Sequence, residues 1–253
     1  MKKLTLILLC TLSLNAYAEQ RTIHVFVALC DNENQGIIPV PEKLGNGQDP
    51  FNNLYWGALY GVKSYFKRSD NWTLVSSEKN PTEGILERLL FKHNSTDTYL
   101  LADAYDGREI QQCTINFFKA CAGDGLVTFN HKQETLQFGG SSSLLCYVGH
   151  DGLMEFDLEE SFTAQDDKKR EAIMLACVSK DYFSQHLKES GAYPLLWTTQ
   201  LMAPEAYTLE AAAHSWCLNK SKEEIRLAGA EAYHKYQKCG LNGAKGLLVQ
   251  GWE

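Results

Sequence analysis

The chain has 253 residues, 44% of them hydrophobic and 22% charged, with a formal net charge of −7. That length suits one large domain, or a domain with a helical appendage, and is ample for a full core. An acidic balance without Lys/Arg clusters argues against nucleic acid or anionic lipid as the main partner.

The opening stretch MKKLTLILLCTLSLNAYAEQ has two lysines, an apolar run and a small-x-small end at Ala16, Tyr17 and Ala18. The run is too short to span a bilayer and has a processing site behind it, so residues 1–18 read as a signal peptide. Its removal takes away Lys2 and Lys3 and no acid, moving the charge from −7 to −9. Residues 19–253 are then expected to be one exported domain, periplasmic or secreted, with no membrane span. Seven cysteines remain: Cys30, Cys113, Cys121, Cys146, Cys177, Cys217 and Cys239. In an oxidising compartment an odd number leaves one thiol unpaired or bridged to another chain. Cys113 with Cys121, and Cys217 with Cys239, lie in segments that read as surface helices and loops and are the expected disulfide pairs. Cys30, Cys146 and Cys177 fall at or near strand ends, where a thiol is core filling or chemistry. There is no CxxC, and the histidines lack zinc-ligand spacing, so no metal or cofactor is expected.

In chain order, TIHVFVALCDN is a β-branched apolar run that reads as a buried strand. The long Gly-, Pro- and Asn-rich loop behind it leaves the strand's carboxyl end, where ligand-contacting groups gather. In PFNNLYWGALYGVKSYFKR, Leu54, Leu59, Val62 and Phe66 have helical spacing. WTLVSS reads as a strand, PTEGILERLLFKH as a helix with a Pro and acidic start, and DTYLLADAYDG as a third strand. REIQQCTINFFKACAG is a helix stopped by Gly123, and LVTFNHKQETLQFGGSSS a hairpin or irregular insert. The apolar runs LLCYVGHDG, REAIMLACVSKDYF and YPLLWTTQLMAP supply three more strands, and residues 205–240 read as two helices. Strands alternating with helices predict an α/β sandwich with a mostly parallel sheet.

Two of those runs end in reactive side chains, His150 and Cys177, 27 residues apart. That is the length of one strand-helix-strand crossover, so the two can meet at the carboxyl edge of a parallel sheet. A thiol becomes a nucleophile when a base takes its proton, and imidazole suits that exchange near neutral pH. On spacing alone, a hydrogen-bonded structural His and a core Cys are the commoner outcome.

The pattern LLCYVGHDGLMEFDLEE followed by REAIMLACVSKDYF resembles the histidine and nucleophile strands of the caspase-like cysteine peptidases, nearest the legumain, gingipain and clostripain branches. YPLLWTTQLMAPEAYTLEAAAHSW is similar to the next strand of the legumain branch, and the resemblance covers roughly residues 143–216. It implies a three-layer caspase-like sandwich and a peptide or protein substrate cleaved through an acyl-thioester. Cys177 would be the nucleophile and His150 its proton-transfer partner, with the amides of Cys177 and Gly152 holding the oxyanion. Trp197, Thr198 and Thr199 would pair with the substrate backbone as an added strand. The sequence departs from the family at Asp151, which stands between His150 and Gly152 where the family has His directly followed by Gly.

Asp31 and Glu33 in the first loop, and Glu205 and Glu210 after the last strand, are candidates for an acidic substrate pocket that would take Lys or Arg. As solvated loop acids of an acidic protein they have a plainer explanation. Asp103 and Asp106 end the third strand in a spacing common in turns. A catalytically silent caspase-like scaffold that binds a peptide or envelope partner, and an exported α/β binding protein with structural cysteines, stand beside the peptidase reading.

Overall fold

The computed structural model describes residues 21–252, so the expected signal segment, residues 1–18, lies outside the described residues. In chain order the elements are β1 (Arg21–Ala28), α1 (Val62–Phe66), β2 (Trp72–Thr82), β3 (Ile85–His93), β4 (Thr98–Tyr105) and α2 (Ile110–Cys121). Then come β5 (Val127–His131), β6 (Glu134–Phe138), β7 (Leu144–Val148), β8 (Glu171–Leu175), α3 (Ser179–Ser190) and β9 (Tyr193–Thr198). The chain closes with α4 (Ala206–Cys217), α5 (Lys222–Gln237), α6 (Leu241–Leu247) and β10 (Leu248–Val249). No helix among the described residues is long and apolar enough to cross a membrane.

Eight strands form one mixed sheet in the order β10-β9-β8-β7-β1-β4-β3-β2, and β5 and β6 form a separate hairpin. β4, β1, β7, β8 and β9 run parallel, while β3 is antiparallel to β4, β2 to β3 and β10 to β9. The protein is therefore α/β, with a large, mostly parallel sheet. Alternation along β1 builds its two covered faces. Ile23, Val25 and Val27 join one core with Phe66 of α1, Leu209 of α4, Ile225 of α5 and Leu247 of α6. Phe26 and Ala28 join the other with Phe117 and Phe118 of α2 and Phe183 and Leu187 of α3.

Two expected elements differ. GILERLLFKH is not a helix but β3: Leu89 and Phe91 enter one core while Leu90 enters a smaller one under the β5–β6 hairpin. Both faces of the strand are buried, so its apolar residues cluster as they would on a helix, without a solvent face to reveal the period. Gly84, at φ +77°, makes the tight turn from β2. The helix expected over the Leu54 to Phe66 stretch shrinks to α1. Gly57 backs so closely on Phe51 that a Cβ there would come 2.0 Å from its carbonyl oxygen, and the chain before Val62 is a series of turns.

Neither expected disulfide is formed among the described residues, whose seven cysteines are all free. Cys113 and Cys121 lie eight residues apart on α2, about 12 Å along its axis, beyond the roughly 7 Å limit for a bridge. Cys217 ends α4 before α5 begins, whereas Cys239 follows the far end of that 16-residue helix, about 24 Å away along the axis.

Candidate functional site at the carboxyl edge of β7 and β8

The register between the two central strands levels their ends. Val148 pairs with Leu175, and the Gly149 amide donates to the Leu175 carbonyl at 3.2 Å. His150 and Cys177 are each two residues further on, so they leave neighbouring parallel strands at the same height. Gly149, at φ +155°, lets this turn lie against β1, since a Cβ there would sit 2.9 Å from the Ala28 carbonyl oxygen.

Behind Cys177 the chain turns abruptly into α3 through Val178, at φ 50° and ψ 29°. A β-branched residue in the left-handed region is strained, and such strain persists only where its surroundings enforce it. Here the Val178 amide donates to Gln200 O at 3.0 Å, the Ser179 amide donates to Thr198 Oγ1 at 3.1 Å, and Ser179 Oγ donates to Met174 O at 3.0 Å. Thr198 Oγ1 in turn donates to the Ala176 carbonyl. The elbow is thus clamped from β9.

Each member of the expected pair has its own partner. His150 Nε2 is bonded to Glu155 Oε1 at 2.6 Å, and the His150 carbonyl accepts from Tyr147 Oη at 2.8 Å. The half-buried Cys177 thiol accepts from the Met202 amide at 3.4 Å and donates to the Met202 carbonyl at 3.6 Å. Burial pushes this thiol up, the Met202 amide opposes the shift and Asp151 adds to it. Among the described residues no hydrogen bond joins His150 to Cys177.

Asp151 and Gly152 are both buried. Asp151 caps the 3-10 turn Gly152–Met154, its Oδ1 accepting from the Leu153 amide at 3.1 Å. Its Oδ2 is buried without a partner among the described residues. Burial pushes this carboxyl up to about 7, against the Leu153 hydrogen bond and with a further push from Glu155.

The first loop closes the site. The buried Asn53 side chain accepts from the Cys30 and Tyr55 amides, each at 3.1 Å, and donates to Cys30 O at 2.8 Å. Tyr55, so fixed, hydrogen-bonds the Cys30 thiol and lies within electrostatic reach of Cys177. Tyr233 of α5 also lies within electrostatic reach of Cys177, and its Oη accepts a hydrogen bond from the Ala203 amide at 3.3 Å. Glu155, Tyr55, Met202 and Tyr233 are neighbours that spacing did not single out; only the turn before Glu155 carried a signal, in the Gly-rich GHDG.

Asp31, expected beside a substrate, is instead the hub of the first loop. It is buried, and its oxygens accept from the Glu33 and Asn34 amides at 2.9 and 3.2 Å, Asn34 Nδ2 at 2.9 Å and Gln48 Nε2 at 2.8 Å. Glu210 accepts from Ser69 Oγ and Asn71 Nδ2 at 2.6 and 2.8 Å, and Glu33 is exposed. Of the four candidate acids, Glu205 alone reaches Tyr55 and Tyr233 electrostatically.

Trp197, Thr198 and Thr199 are not open for an added strand. Leu248 pairs with Thr198 and Val249 with Trp197, while the Thr199 amide donates to Leu247 O at 3.0 Å. The chain's own β10 fills the position expected for substrate. Trp197 and Thr198 are buried, with the Trp252 ring 5.2 Å from that of Trp197. Among the described residues no group of three or more His, Cys, Asp or Glu side chains is arranged to hold a metal ion.

Compared with family models, curated proteins and solved structures, the chain matches none.

Proposed function

We propose that the protein is an exported cysteine peptidase of caspase-like fold. The observation that carries this reading is the pair of adjacent parallel strands, β7 and β8, ending level with each other in His150 and Cys177, with a strained elbow behind the cysteine. In the reaction His150 takes the Cys177 proton and the thiolate attacks a peptide carbonyl, forming an acyl-thioester while the amides of Cys177 and Gly152 hold the oxyanion. His150 then gives its proton to the leaving amine, and water releases the acyl group. Glu155 holds the imidazole in place through its Nε2, 2.6 Å from Glu155 Oε1.

A silent scaffold that binds a peptide without cleaving it is the second reading, favoured by the unpartnered Asp151 oxygen beside a thiol whose pKa is raised rather than lowered. Peptide-based thiol-reactive probes differing in their first side chain separate the two. Labelling that maps to Cys177, is lost in Cys177→Ala, falls in His150→Ala and prefers one side chain supports the peptidase. Equal labelling of native and denatured Cys177 at mildly acidic pH refutes it.

A further inference from the structure

The loop that carries Tyr55 to Cys177 also builds a groove of about 640 Å³ between the first loop and α1. Lys43, Lys63, Lys67 and Arg68 line it together with Phe51 and Leu59, whose side chains are 74% and 60% exposed. Lys63 is neutralised by the buried Glu87, 2.8 Å away, which also accepts from Trp56 Nε1 at 2.6 Å. Lys43, Lys67 and Arg68 have no carboxylate partner among the described residues, and none lines the groove. The wall is fixed: Ser64 Oγ donates to Gly57 O at 2.7 Å, and Arg68 donates to the Leu59 carbonyl. In the sequence Lys43 is remote from Lys67 and Arg68, and folding brings it to those two, which follow α1.

Three uncompensated cations on a protein of net charge −7 ask for carboxylates, and two exposed apolar side chains at the same place ask for an apolar partner. A long polyanion or an anionic bilayer would meet the rest of a chain of net charge −7 as well as the patch, whereas a short segment meets only the groove. A concave shape likewise fits a chain segment better than a flat bilayer. We propose that this groove docks a short acidic segment of a polypeptide, one that carries a large apolar side chain among its carboxylates. The proposal stands apart from the thiol chemistry, because none of these six residues touches Cys177.

The test uses the full chain carrying Cys177→Ala, so that no cleavage intervenes, and a fluorescein-labelled peptide of Asp, Glu and Leu. Anisotropy is compared with that of a counterpart having Lys in place of each acid. The acidic peptide is expected to bind, more weakly as salt rises, and to lose about tenfold in affinity in Lys67→Glu/Arg68→Glu and in Phe51→Ala. These are exposed positions, and a thermal melt checks that the variants fold. Equal binding of the two peptides, affinity unchanged in the variants, or sedimentation with phosphatidylglycerol vesicles in the absence of peptide binding would overturn the proposal.

Discussion

Burial at Asp151 raises its carboxyl from an ordinary 3.8 to about 7, which gives this residue a definite effect on stability. A folded-state value above the unfolded one means that this residue's contribution is most favourable below about pH 4, weakens as pH rises, and carries its whole penalty above about pH 7. The penalty is on the order of 4 kcal/mol. Asp151→Asn removes this component, so between pH 5 and pH 8 the wild type should lose stability that the variant keeps, read as urea midpoints at the two values. The thiol follows the same sign: alkylation of Cys177 in Asp151→Asn should exceed that of wild type more at pH 8 than at pH 6. Val178 gives a second residue-scale expectation. The left-handed conformation costs an L-residue roughly 1–2 kcal/mol, and glycine's extra chain entropy roughly 0.5–1. Val178→Gly should therefore stabilise the protein by about 1 kcal/mol in denaturant titration while slowing labelling at Cys177, because the elbow relaxes.

Strand β10 is a two-residue element with a large task. It places the buried Leu248 on the sheet and occupies the outer edge of β9. Truncation before Leu248 should cost at least the roughly 2 kcal/mol of one buried leucine and leave an open edge. Calorimetry should show the lower melting temperature, and sedimentation velocity should show self-association absent from the intact chain. Nothing in LLVQGW marks this pairing in the sequence, since a strand of two residues has no period. By contrast β1 was legible as an apolar β-branched run, β4, β7, β8 and β9 as apolar runs, and α2 as a helix stopped at Gly123. β3 misled because both of its faces are covered. The 27-residue spacing agreed with level ends for β7 and β8, but not for the expected reason, since their connection holds only the 3-10 turn Gly152–Met154 and no α-helix. Tyr55 and Glu155 were not legible, because loops fold by side-chain clips such as those of Asn53 and Asp31 that have no spacing rule.

The whole molecule is tied across its sheet by a buried ionic cluster. Asp103 of β4 accepts two hydrogen bonds from Arg88 of β3, each at 2.7 Å, and one from His24 of β1 at 3.0 Å, while the Gly139 amide donates to His24 Nδ1 at 3.0 Å. Burial disfavours the Asp103 charge, but Arg88 and His24 hold it below the ordinary carboxylate range. Asp103→Asn leaves Arg88 charged and incompletely paired, and should cost about 3–5 kcal/mol in urea unfolding. The cysteines give a second global test. Five of the seven are buried with thiols raised by burial, so alkylation of the native protein followed by mass mapping should mark only Cys177 and Cys239.

The position of β1 also sets a timetable. It is the first described strand to leave the ribosome, yet it lies in the middle of the sheet, with Arg21 beside Thr98 and Ile23 beside Leu144. At roughly 5–20 residues per second, its second partner emerges some 6–24 s after it does. During that interval an apolar segment stands without its neighbours, exposed to whatever else binds unpaired strands. The nascent chain is thus available to a chaperone for as long as its central strand waits.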